Sequence, residues 1–532
     1  MSFRLLFLTV AIAFAGVSFA QGDGAKTARV EILNADVWDF DKSIVQAQRL
    51  IGNVRFKHGN AIMHCDSAYL FDDQHVDAYG SIRIDQGDTL TITGDRLHYS
   101  GAERIARLQG DVMLRDDRME LRTPSLLYDL RSKRATYTEG GTITGRTDNS
   151  VLTSDHGVYD TAARTFIFSR NVVLQQPDRT IRSDTMHYGT ASGMAQFFGP
   201  TVIEQDSTVI STTRGQYDTK AEKAHFSERS SILTKGRLLE GDSIRYDKNA
   251  GLGSAWGNVV VQDTASDMLA RGDHGRYDEI NDRSMITGHA ELVMIMDGDP
   301  LFLHGDSLFT IPDTIPDRRR IQAHNSVRFF KSDMQGVCDT LIYSETDSLI
   351  RMIHRPVLWS GTDQISGDSL SIRMRDGQPH RLFVNGNAFL MSQVDSIHFD
   401  QVTGTRMTGF FVEGEMRRII AEGNCRTVYF AQEEKEDAEE IIGVNRADCS
   451  KIEVWIDEEE VNSITFLDRP DATFFPLEKV PPDELLLKGA RWRGEERPID
   501  RASIFDRPVP VKEDGTVVGK DDRDRPEPKR KN

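Results

Sequence analysis

The sequence predicts an all-β repeat protein built from stacked, bent antiparallel strands. Three observations support this fold class: a short phrase of the type Asp-Ser-x-x-Tyr recurs along the 532 residues, a glycine recurs in step with it, and apolar and polar residues alternate between the two. Helix signals are confined to residues 433–442, which also suit a hairpin tip, and residues 482–487. A fixed period of 20–50 residues is typical of stacked-repeat architectures.

The repeated phrase sets the period. Its clearest copy runs from Asp242 to Tyr246. The last residues of the successive copies, including degenerate ones, fall at positions 70, 99, 128, 159, 188, 217, 246, 277, 310, 343, 372 and 399. The spacing is therefore about 29 residues. In such an array each repeat contacts mainly its neighbours, so we expect one elongated array rather than several globular domains.

One unit, residues 103–130, illustrates how the repeat folds. Residues 104–109 and 112–115 alternate between apolar and polar, which is the period of a half-buried strand, and Gly110 interrupts them. Residues 119–122 and 126–128 alternate likewise around Thr123 and Pro124. Glycine within a strand pattern marks a bend, and Asp or Ser stabilises a bent backbone locally. Each repeat is thus predicted to supply two bent strands, which stack into an elongated β-jellyroll, a V-shaped open trough.

The residues two and four positions after the Asp share one face of a strand, and they are apolar or aromatic. The bends divide the stacked strands into two half-sheets joined along a crease. The apolar faces of these half-sheets should face each other. They form either a closed dry core or a groove wide enough for a lipid chain. The side chains predicted to face the groove are Val54, Phe56, Ile82, Ile84, Val112, Leu114, Leu126, Tyr128, Tyr188, Tyr246, Val259, Val261 and Tyr343.

Composition and motifs exclude several function classes. A net charge of −18 argues against nucleic-acid binding, which needs a basic surface. The chain lacks a phosphate loop, a dinucleotide glycine fingerprint, a His-Glu-x-x-His motif and a paired Cys-x-x-Cys. One Asp in each repeat is too sparse for a calcium roll. The 14 histidines are scattered, and His98, His187 and His398 are assigned to the polar face. We therefore expect no enzyme activity, no cofactor and no metal site.

The ends of the chain differ from the array. Residues 1–20 fit a cleavable signal peptide, because an apolar run from Leu5 to Phe19 precedes a small-residue cleavage site; an uncleaved anchor is the alternative. The array is assigned to residues 21–467 and a proline-rich capping or docking segment to residues 468–507. Residues 508–532 are nearly all charged, Gly or Pro and are predicted to be disordered.

The four cysteines are too few for a disulfide scaffold. Cys425 and Cys449 flank an acidic loop, so a cross-strand bridge is one alternative in an oxidising compartment, and two free thiols are the other. Cys65 and Cys338 each precede the repeat Asp and are expected to be buried small apolar residues.

The repeat resembles a known family. Strand starts such as Gly52-Asn53-Val54 and Gly423-Asn424-Cys425, combined with the Asp-Ser-x-x-Tyr phrase, are similar to those of the OstA-like, LptA-type proteins of lipopolysaccharide transport. The likeness covers about residues 28–467, and the segment from Gly443 to Phe474 resembles the long form found in Bacteroidota-type bacteria. Short members of the family are several times shorter than this chain.

The resemblance implies a non-enzymatic protein that carries lipid in an apolar β groove. It implies lipopolysaccharide, through its lipid A acyl chains, as the ligand, and LptC-like and LptD-like jellyroll proteins as partners that pair strand edge to strand edge. It further implies export to the periplasm; association with the outer membrane and self-association are left open. The competing hypotheses are a structural or adhesive β-repeat protein with a closed core and a carbohydrate-active parallel β-helix, which would need shorter coils.

Overall fold

The structure, a computed structural model, describes residues 29–40, 46–87, 89–263, 268–296, 298–316, 318–435, 438–457 and 460–507. The predicted signal peptide (1–20) and charged tail (508–532) lie outside the described residues. The described part of the chain consists of β-strands and four short 3-10 helices, with no α-helix. The prediction of an all-β fold of stacked antiparallel strands is confirmed.

The chain divides into two compact units, residues 1–168 and 169–532. The strands of the first unit are β1 (Glu31–Asn34), β2 (Val37–Asp39), β3 (Ala47–His58), β4 (Ala61–Phe71), β5 (His75–Gln86), β6 (Leu90–Ser100), β7 (Ile105–Arg115), β8 (Met119–Asp129), β9 (Arg134–Tyr137), β10 (Gly141–Gly145), β11 (Val151–Ser154) and β12 (His156–Asp160); β13 (Thr165–Gln176) crosses the boundary. Long neighbouring strands pair antiparallel along their full length.

The second unit repeats the pattern. Its strands are β14 (Arg179–Gly189), β15 (Met194–Gln205), β16 (Thr208–Asp218), β17 (Lys223–Phe226), β18 (Ser230–Thr234), β19 (Arg237–Gly241), β20 (Ser243–Asp247), β21 (Leu252–Asp263), β22 (Met268–Asp278), β23 (Arg283–Thr287), β24 (Glu291–Met296), β25 (Asp299–His304), β26 (Ser307–Pro312), β27 (Arg319–Phe330), β28 (Gln335–Ser344), β29 (Leu349–Ile353), β30 (Val357–Ser360), β31 (Asp363–Ser366), β32 (Ser369–Arg375), β33 (Gln378–Gln393), β34 (Phe399–Val412), β35 (Glu415–Lys435), β36 (Ala438–Asp457), β37 (Glu460–Leu467) and β38 (Asp471–Pro476). The 3-10 helices are Leu477–Lys479, Pro482–Glu484, Gly494–Glu496 and Ala502–Phe505.

The bend in each repeat combines a glycine with the repeated Asp. Gly257 (φ +72°) and Asn258 (φ +46°) both adopt the left-handed conformation, and the register between β21 and β22 shifts there. The backbone N–H of Asp242 donates to the Gly257 carbonyl (3.0 Å), and the Asn258 side-chain amide donates to the Asp242 carboxylate (2.7 Å). The side-chain bond to the repeat Asp recurs from Asn53, Ser81, His289 and Asn387. The Asp therefore stabilises the bend, as predicted.

The burial pattern confirms which face is internal. In β6, Leu97 and Tyr99 are buried while His98 between them is exposed. The corresponding pairs in later repeats, Met186 with Tyr188 and Ile244 with Tyr246, are also buried. Because the strand alternates with a period of two, one face of each half-sheet packs inward and the other meets solvent.

The segment after β38 lies back along the outer face of the second unit. We call residues 477–507 the strap. Leu487 in the strap is 3% exposed, and it packs against a cluster that contains Phe389, Met391, Val428, Phe430 and Val444. Further along, Trp492 contacts the buried Trp359 cluster, and Ile504 is fully buried. The strands beneath the strap are therefore buried on both faces. One face packs against the protein interior, and the other packs against the strap.

Three buried glutamines attach the strap to successive repeats. Gln401 accepts a hydrogen bond from the backbone N–H of Leu487 (2.8 Å) and donates to the Leu485 carbonyl (2.9 Å). Gln364 likewise accepts a hydrogen bond from the backbone N–H of Arg493 (2.6 Å) and donates one to the Arg491 carbonyl (2.9 Å). Gln335 accepts from the Arg497 guanidinium (2.7 Å). All three amides are at most 3% exposed, and the strap supplies a hydrogen-bond donor to the buried side-chain oxygen of each.

The described residues of the acidic segment flanked by Cys425 and Cys449 form the paired ends of β35 and β36 rather than a helix. Cys425 and Cys449 are direct cross-strand partners, and both are free thiols. Cys65 and Cys338 are buried free thiols, which confirms the prediction made for them.

Candidate functional site

The outer ends of the two half-sheets meet in the first unit. Tyr99 lies near the C-terminal end of β6 and pairs with the start of β5, so it belongs to one half-sheet. His58 is the last residue of β3 and belongs to the other half-sheet. The Tyr99 hydroxyl is nevertheless 2.6 Å from Nδ1 of His58. Tyr128 donates to Gln86 in the same way, and Tyr159 donates to the Asp116 carboxylate (2.6 Å). The repeat tyrosines thus bridge the mouth of the trough.

Because the mouth is bridged, the interior of the first unit is closed. The side chains predicted there, Val54, Phe56, Ile82, Ile84, Val112, Leu114, Leu126 and Tyr128, are each at most 2% exposed. The Tyr99 and Tyr128 hydroxyls are buried deeply enough that desolvation raises the pKa of each to about 12. A neutral, hydrogen-bonded phenol is stable in such an interior.

Bridges of a different kind cross the mouth early in the second unit. The Tyr217 hydroxyl accepts a hydrogen bond from the Arg179 guanidinium (2.7 Å), and Lys248 forms an ion pair with Asp206 (2.9 Å). The next crossing is a cluster in which Asp282 pairs with Arg237 and Arg319. The predicted residues Tyr188 (9% exposed) and Val259 (1%) lie in this closed part.

Beyond these bridges the interior contains an apolar cavity of about 350 Å³. It lies between the inner faces of the two half-sheets, and its apolar walls are formed by Met268, Met294, Met296, Leu301, Leu303, Ile321, Phe329, Met334, Leu341, Tyr343, Ile350, Ile372 and Met374. Polar groups are confined to the margin, at Glu345, Ser348 and Asp376. The volume lies within the roughly 300–1,000 Å³ of small-molecule pockets.

A narrower cavity of about 60 Å³ adjoins the first through Met268, which lines both. Tyr246 and Val261 line this narrower cavity, together with Leu239, Tyr277 and other side chains. Of the 13 residues predicted to face a groove, Tyr246, Val261 and Tyr343 therefore line these two interior cavities, and the side chains of the other ten are buried elsewhere in the interior.

The cavity margin carries a partly desolvated carboxylate. Glu345 accepts a hydrogen bond from the backbone N–H of Arg319 (2.8 Å). Burial raises the pKa of Glu345, and the nearby Arg318 opposes that shift. The walls themselves offer unbranched thioethers and aliphatic side chains, which adapt to flexible ligands. The arrangement is suited to holding an apolar chain with a polar group left at the margin.

The methionines are the residues that the sequence reasoning missed. Met268, Met294, Met296, Met334 and Met374 fall outside both the Asp-Ser-x-x-Tyr phrase and the first four residues after the recurring glycine, where the predicted groove residues lie. A usable signal was present, since four of the 16 methionines occur between residues 268 and 296, at positions 268, 285, 294 and 296. The strap contacts were missed too, although Val357-Leu358-Trp359 and Phe389-Leu390-Met391 are continuous apolar runs, typical of strands buried on both faces.

The comparisons with known proteins agree with this architecture. A family model described as OstA-like protein matches residues 27–184, and one described as LptA/(LptD N-terminal domain) LPS transport protein matches residues 152–308. The comparison with curated proteins found no match. Within the described residues, no helix is long and apolar enough to cross a membrane.

These matches indicate a protein of the cell envelope with a general role in lipopolysaccharide or lipid transport. They overlap and together run from residue 27 to residue 308, across closed interior and into the region of the cavities. Over these residues the chain is similar to the OstA-like proteins and to the LptA/LptD N-terminal domains of lipopolysaccharide transport.

Proposed function

We propose that this protein is a periplasmic conduit that shields the acyl chains of lipopolysaccharide on their way to the outer membrane. The acyl chains occupy the interior between the two half-sheets, and the methionine-lined cavity is where they are held first. The mechanism is passive and needs no enzyme activity. Burial of apolar surface supplies about 25 cal/mol per Å².

The single observation that carries the proposal is the cavity itself. Its walls are apolar over 13 side chains, and its polar groups stand at the margin, where a lipid headgroup would remain in water. Five of the wall residues are methionines, whose side chains repack around ligands of different shape. The closed interior on the N-terminal side would admit a chain only after the tyrosine bridges separate.

Photocrosslinking in cells tests the proposal. A photoreactive residue is placed at Met374 or Tyr343 in the cavity wall, at Leu114 in the closed interior, and at Arg373 as the control. Arg373 is adjacent to Met374 on the same strand but is exposed on the opposite face. We expect lipopolysaccharide adducts at Met374 and Tyr343, none at Arg373, and adducts at Leu114 only if lipid travels along the whole interior.

The absence of adducts at both cavity positions, in a chain that is exported and folded, would contradict the conduit. It would favour the alternative of a structural β-repeat protein with a closed core. That alternative has its own support in the first unit, where the interior side chains named above are at most 2% exposed and the mouth is bridged.

Partners are proposed to dock at strand edges. β37 and β38 each pair with β36 and with no other strand among the described residues, so each presents a free edge. An LptC-like or LptD-like jellyroll could add a strand there by main-chain hydrogen bonds. The same proposal includes a signal peptide that ends at residue 20, a repeat array that ends at residue 467 and a capping or docking segment that ends at residue 507. It also includes self-association of the chain. Pull-down of such jellyroll domains by the full chain, and its loss when Pro replaces Ser463 in β37, tests the edge.

A further inference from the structure

Three potential metal ligands meet on the outer face of the first unit, away from the apolar interior. His75 and Asp77 lie two residues apart on β5, and His98 on β6 is the cross-strand partner of Asp77. One ligand atom of each residue lies within 4.8 Å of the other two, and no second group of this kind occurs in the part of the chain that the structure describes. Nδ1 of His98 is 2.6 Å from one Asp77 oxygen, and Nε2 of His75 is 3.7 Å from the other.

A second carboxylate and an aromatic ring orient His75. Its Nδ1 lies 3.0 Å from Oδ1 of Asp73 in the turn between β4 and β5. The ring of Phe71 stacks on the His75 imidazole, with centroids 4.1 Å apart and planes 13° apart. Metal-bound histidines usually donate their other ring N–H to a carboxylate, which determines the tautomer and raises the basicity of the ligand nitrogen. Asp73 supplies that contact and leaves Nε2 of His75 directed at Asp77.

We propose that His75, Asp77 and His98 form a Zn²⁺ site that links β5 to β6. Zinc bonds to His nitrogen and carboxylate oxygen are about 2.0–2.1 Å long, which separates neighbouring ligand atoms by roughly 3.3 Å in a tetrahedral site. The two distances to the Asp77 oxygens, 2.6 Å and 3.7 Å, lie on either side of that value. Because the two histidines face different Asp77 oxygens, the side chains must rotate to share a metal ion, and the three ligand atoms already lie within 4.8 Å of one another. Three protein ligands leave one coordination position for water or for a donor from another molecule.

The site departs from the expectation that the chain has no metal site. That expectation assigned His98 to the polar face, because polar residues of many kinds occupy its place in other repeats. Nothing in the sequence places residue 98 opposite residue 77. The competing interpretation is a surface hydrogen-bond network without metal. Arg107, the cross-strand partner of His98 on β7, favours it, because a guanidinium cation directly opposite His98 repels a metal cation bound there.

Calorimetric titration of the full chain with ZnCl₂ tests the site, using protein purified without a polyhistidine tag. We expect one site, at least tenfold weaker in the His98→Ala and Asp77→Asn variants. Asp73→Asn should weaken binding about tenfold, as loss of an outer-shell partner does. His289→Ala is the matched control, because His289 also pairs with an aspartate (Asp273, 2.8 Å) but has no third ligand.

Two results of the titration would overturn the proposal. One is wild-type Zn²⁺ affinity in both His98→Ala and Asp77→Asn. The other is an equal loss in His289→Ala, which would mean that zinc binds surface histidines without selection. Thermal unfolding gives a readout that needs no variant: ZnCl₂, and not MgCl₂, should raise the Tm of the wild-type chain. Absence of any shift at saturating zinc would also contradict a site that links two strands.

Discussion

Tyr99 and His58 are 41 positions apart in the chain and belong to opposite half-sheets, yet their side chains are hydrogen-bonded at 2.6 Å. The contact closes the mouth of the trough over side chains that are almost completely buried. The same relationship joins Tyr128 to Gln86 and Tyr159 to Asp116. The repeat tyrosine therefore has two roles, since its ring fills the interior and its hydroxyl holds the two half-sheets together.

Removing the hydroxyl should weaken this closure. In Tyr99→Phe the ring is retained and the His58 nitrogen loses its partner, so we expect the free energy of unfolding to fall by about 1–3 kcal/mol. Urea unfolding measures it. Tyr69→Phe is the control, because Tyr69 is half-buried on the outer face and contacts the Tyr79 ring edge-on. Equal stability of the two variants would show that the bridge contributes nothing.

The glycine bends should tolerate no side chain. Gly257 has φ +72°, and a Cβ there would lie 2.6 Å from the Asp242 carboxylate. Gly414 has φ +85° with nothing within 4 Å of the added Cβ. Gly414→Ala should therefore lose only about 1 kcal/mol from backbone strain, and Gly257→Ala should lose about 1–3 kcal/mol more. Thermal and urea unfolding measure the stability of the two variants. Similar losses of stability in both would mean that the Asp242 side chain moves aside freely.

The strap should detach when its central anchor is truncated. Leu487 is 3% exposed, whereas the adjacent Leu486 is 57% exposed. Leu487→Ala should destabilise the docked strap by about 2–5 kcal/mol, because a large buried side chain is removed from a packed cluster. Hydrogen exchange of residues 485–493 should accelerate strongly in Leu487→Ala and remain unchanged in Leu486→Ala. Equal protection in both variants would contradict anchoring by Leu487.

Asp400 should make stability depend on pH. Burial raises its pKa to about 7, despite a hydrogen bond from the backbone N–H of Phe430 (2.7 Å), and the nearby Asp363 adds to the shift. An aspartate in the unfolded chain has a pKa of about 3.9. The folded state therefore holds the proton more tightly, so this contribution is complete below about pH 4 and is lost as the pH rises through about 7.

In the Asp400→Asn variant residue 400 carries no charge at any pH, so the variant does not lose stability as the pH rises through about 7. Its stability should equal that of the wild type near pH 4 and exceed it by on the order of 2–4 kcal/mol at pH 8–9. Asp395→Asn should behave in the opposite way, since hydrogen bonds from His398 and Ile397 lower the pKa of Asp395 to about 2. That variant should be less stable than the wild type above pH 4. Parallel stability curves for Asp400→Asn and wild type would contradict the shift.

Cys425 and Cys449 should form a disulfide on mild oxidation. Antiparallel partners have Cα atoms about 4.5 or 5.5 Å apart, within the 4.4–6.8 Å that disulfides span. A small-molecule disulfide would take two electrons from the pair, leaving a Cys425–Cys449 bond and two reagent thiols. Peptide mapping without reductant should find this bridge, with Cys65 and Cys338 still reduced, because both are buried and their cross-strand partners are Val54 and Val327. A reagent adduct at Cys449 without the bridge would contradict the pairing.

Local patterns were sufficient to predict the elements. Leu97 and Tyr99 alternate with polar residues, so their burial follows from the two-residue period of a strand. The bend at Gly257 follows because glycine adopts a positive φ without strain. The candidate site was predicted only in part: Tyr246, Val261 and Tyr343 do line cavities, but the methionine walls were missed, because a methionine in a strand has no marked period of its own.

The sequence by itself determined the all-β repeat, the inward face and the bends, since each depends on residues within one strand or one turn. The tertiary structure alone decided where the interior is closed and where it is open. In the first unit, closure depends on which polar residue lies opposite Tyr99, Tyr128 and Tyr159, and that residue is a histidine, a glutamine or an aspartate 41–43 positions away. Contacts between these residues arise only when the two half-sheets fold onto each other. His98 lies beside Asp77 because β6 pairs with β5, and the strap reaches Gln401 because it docks on the outer face of the second unit.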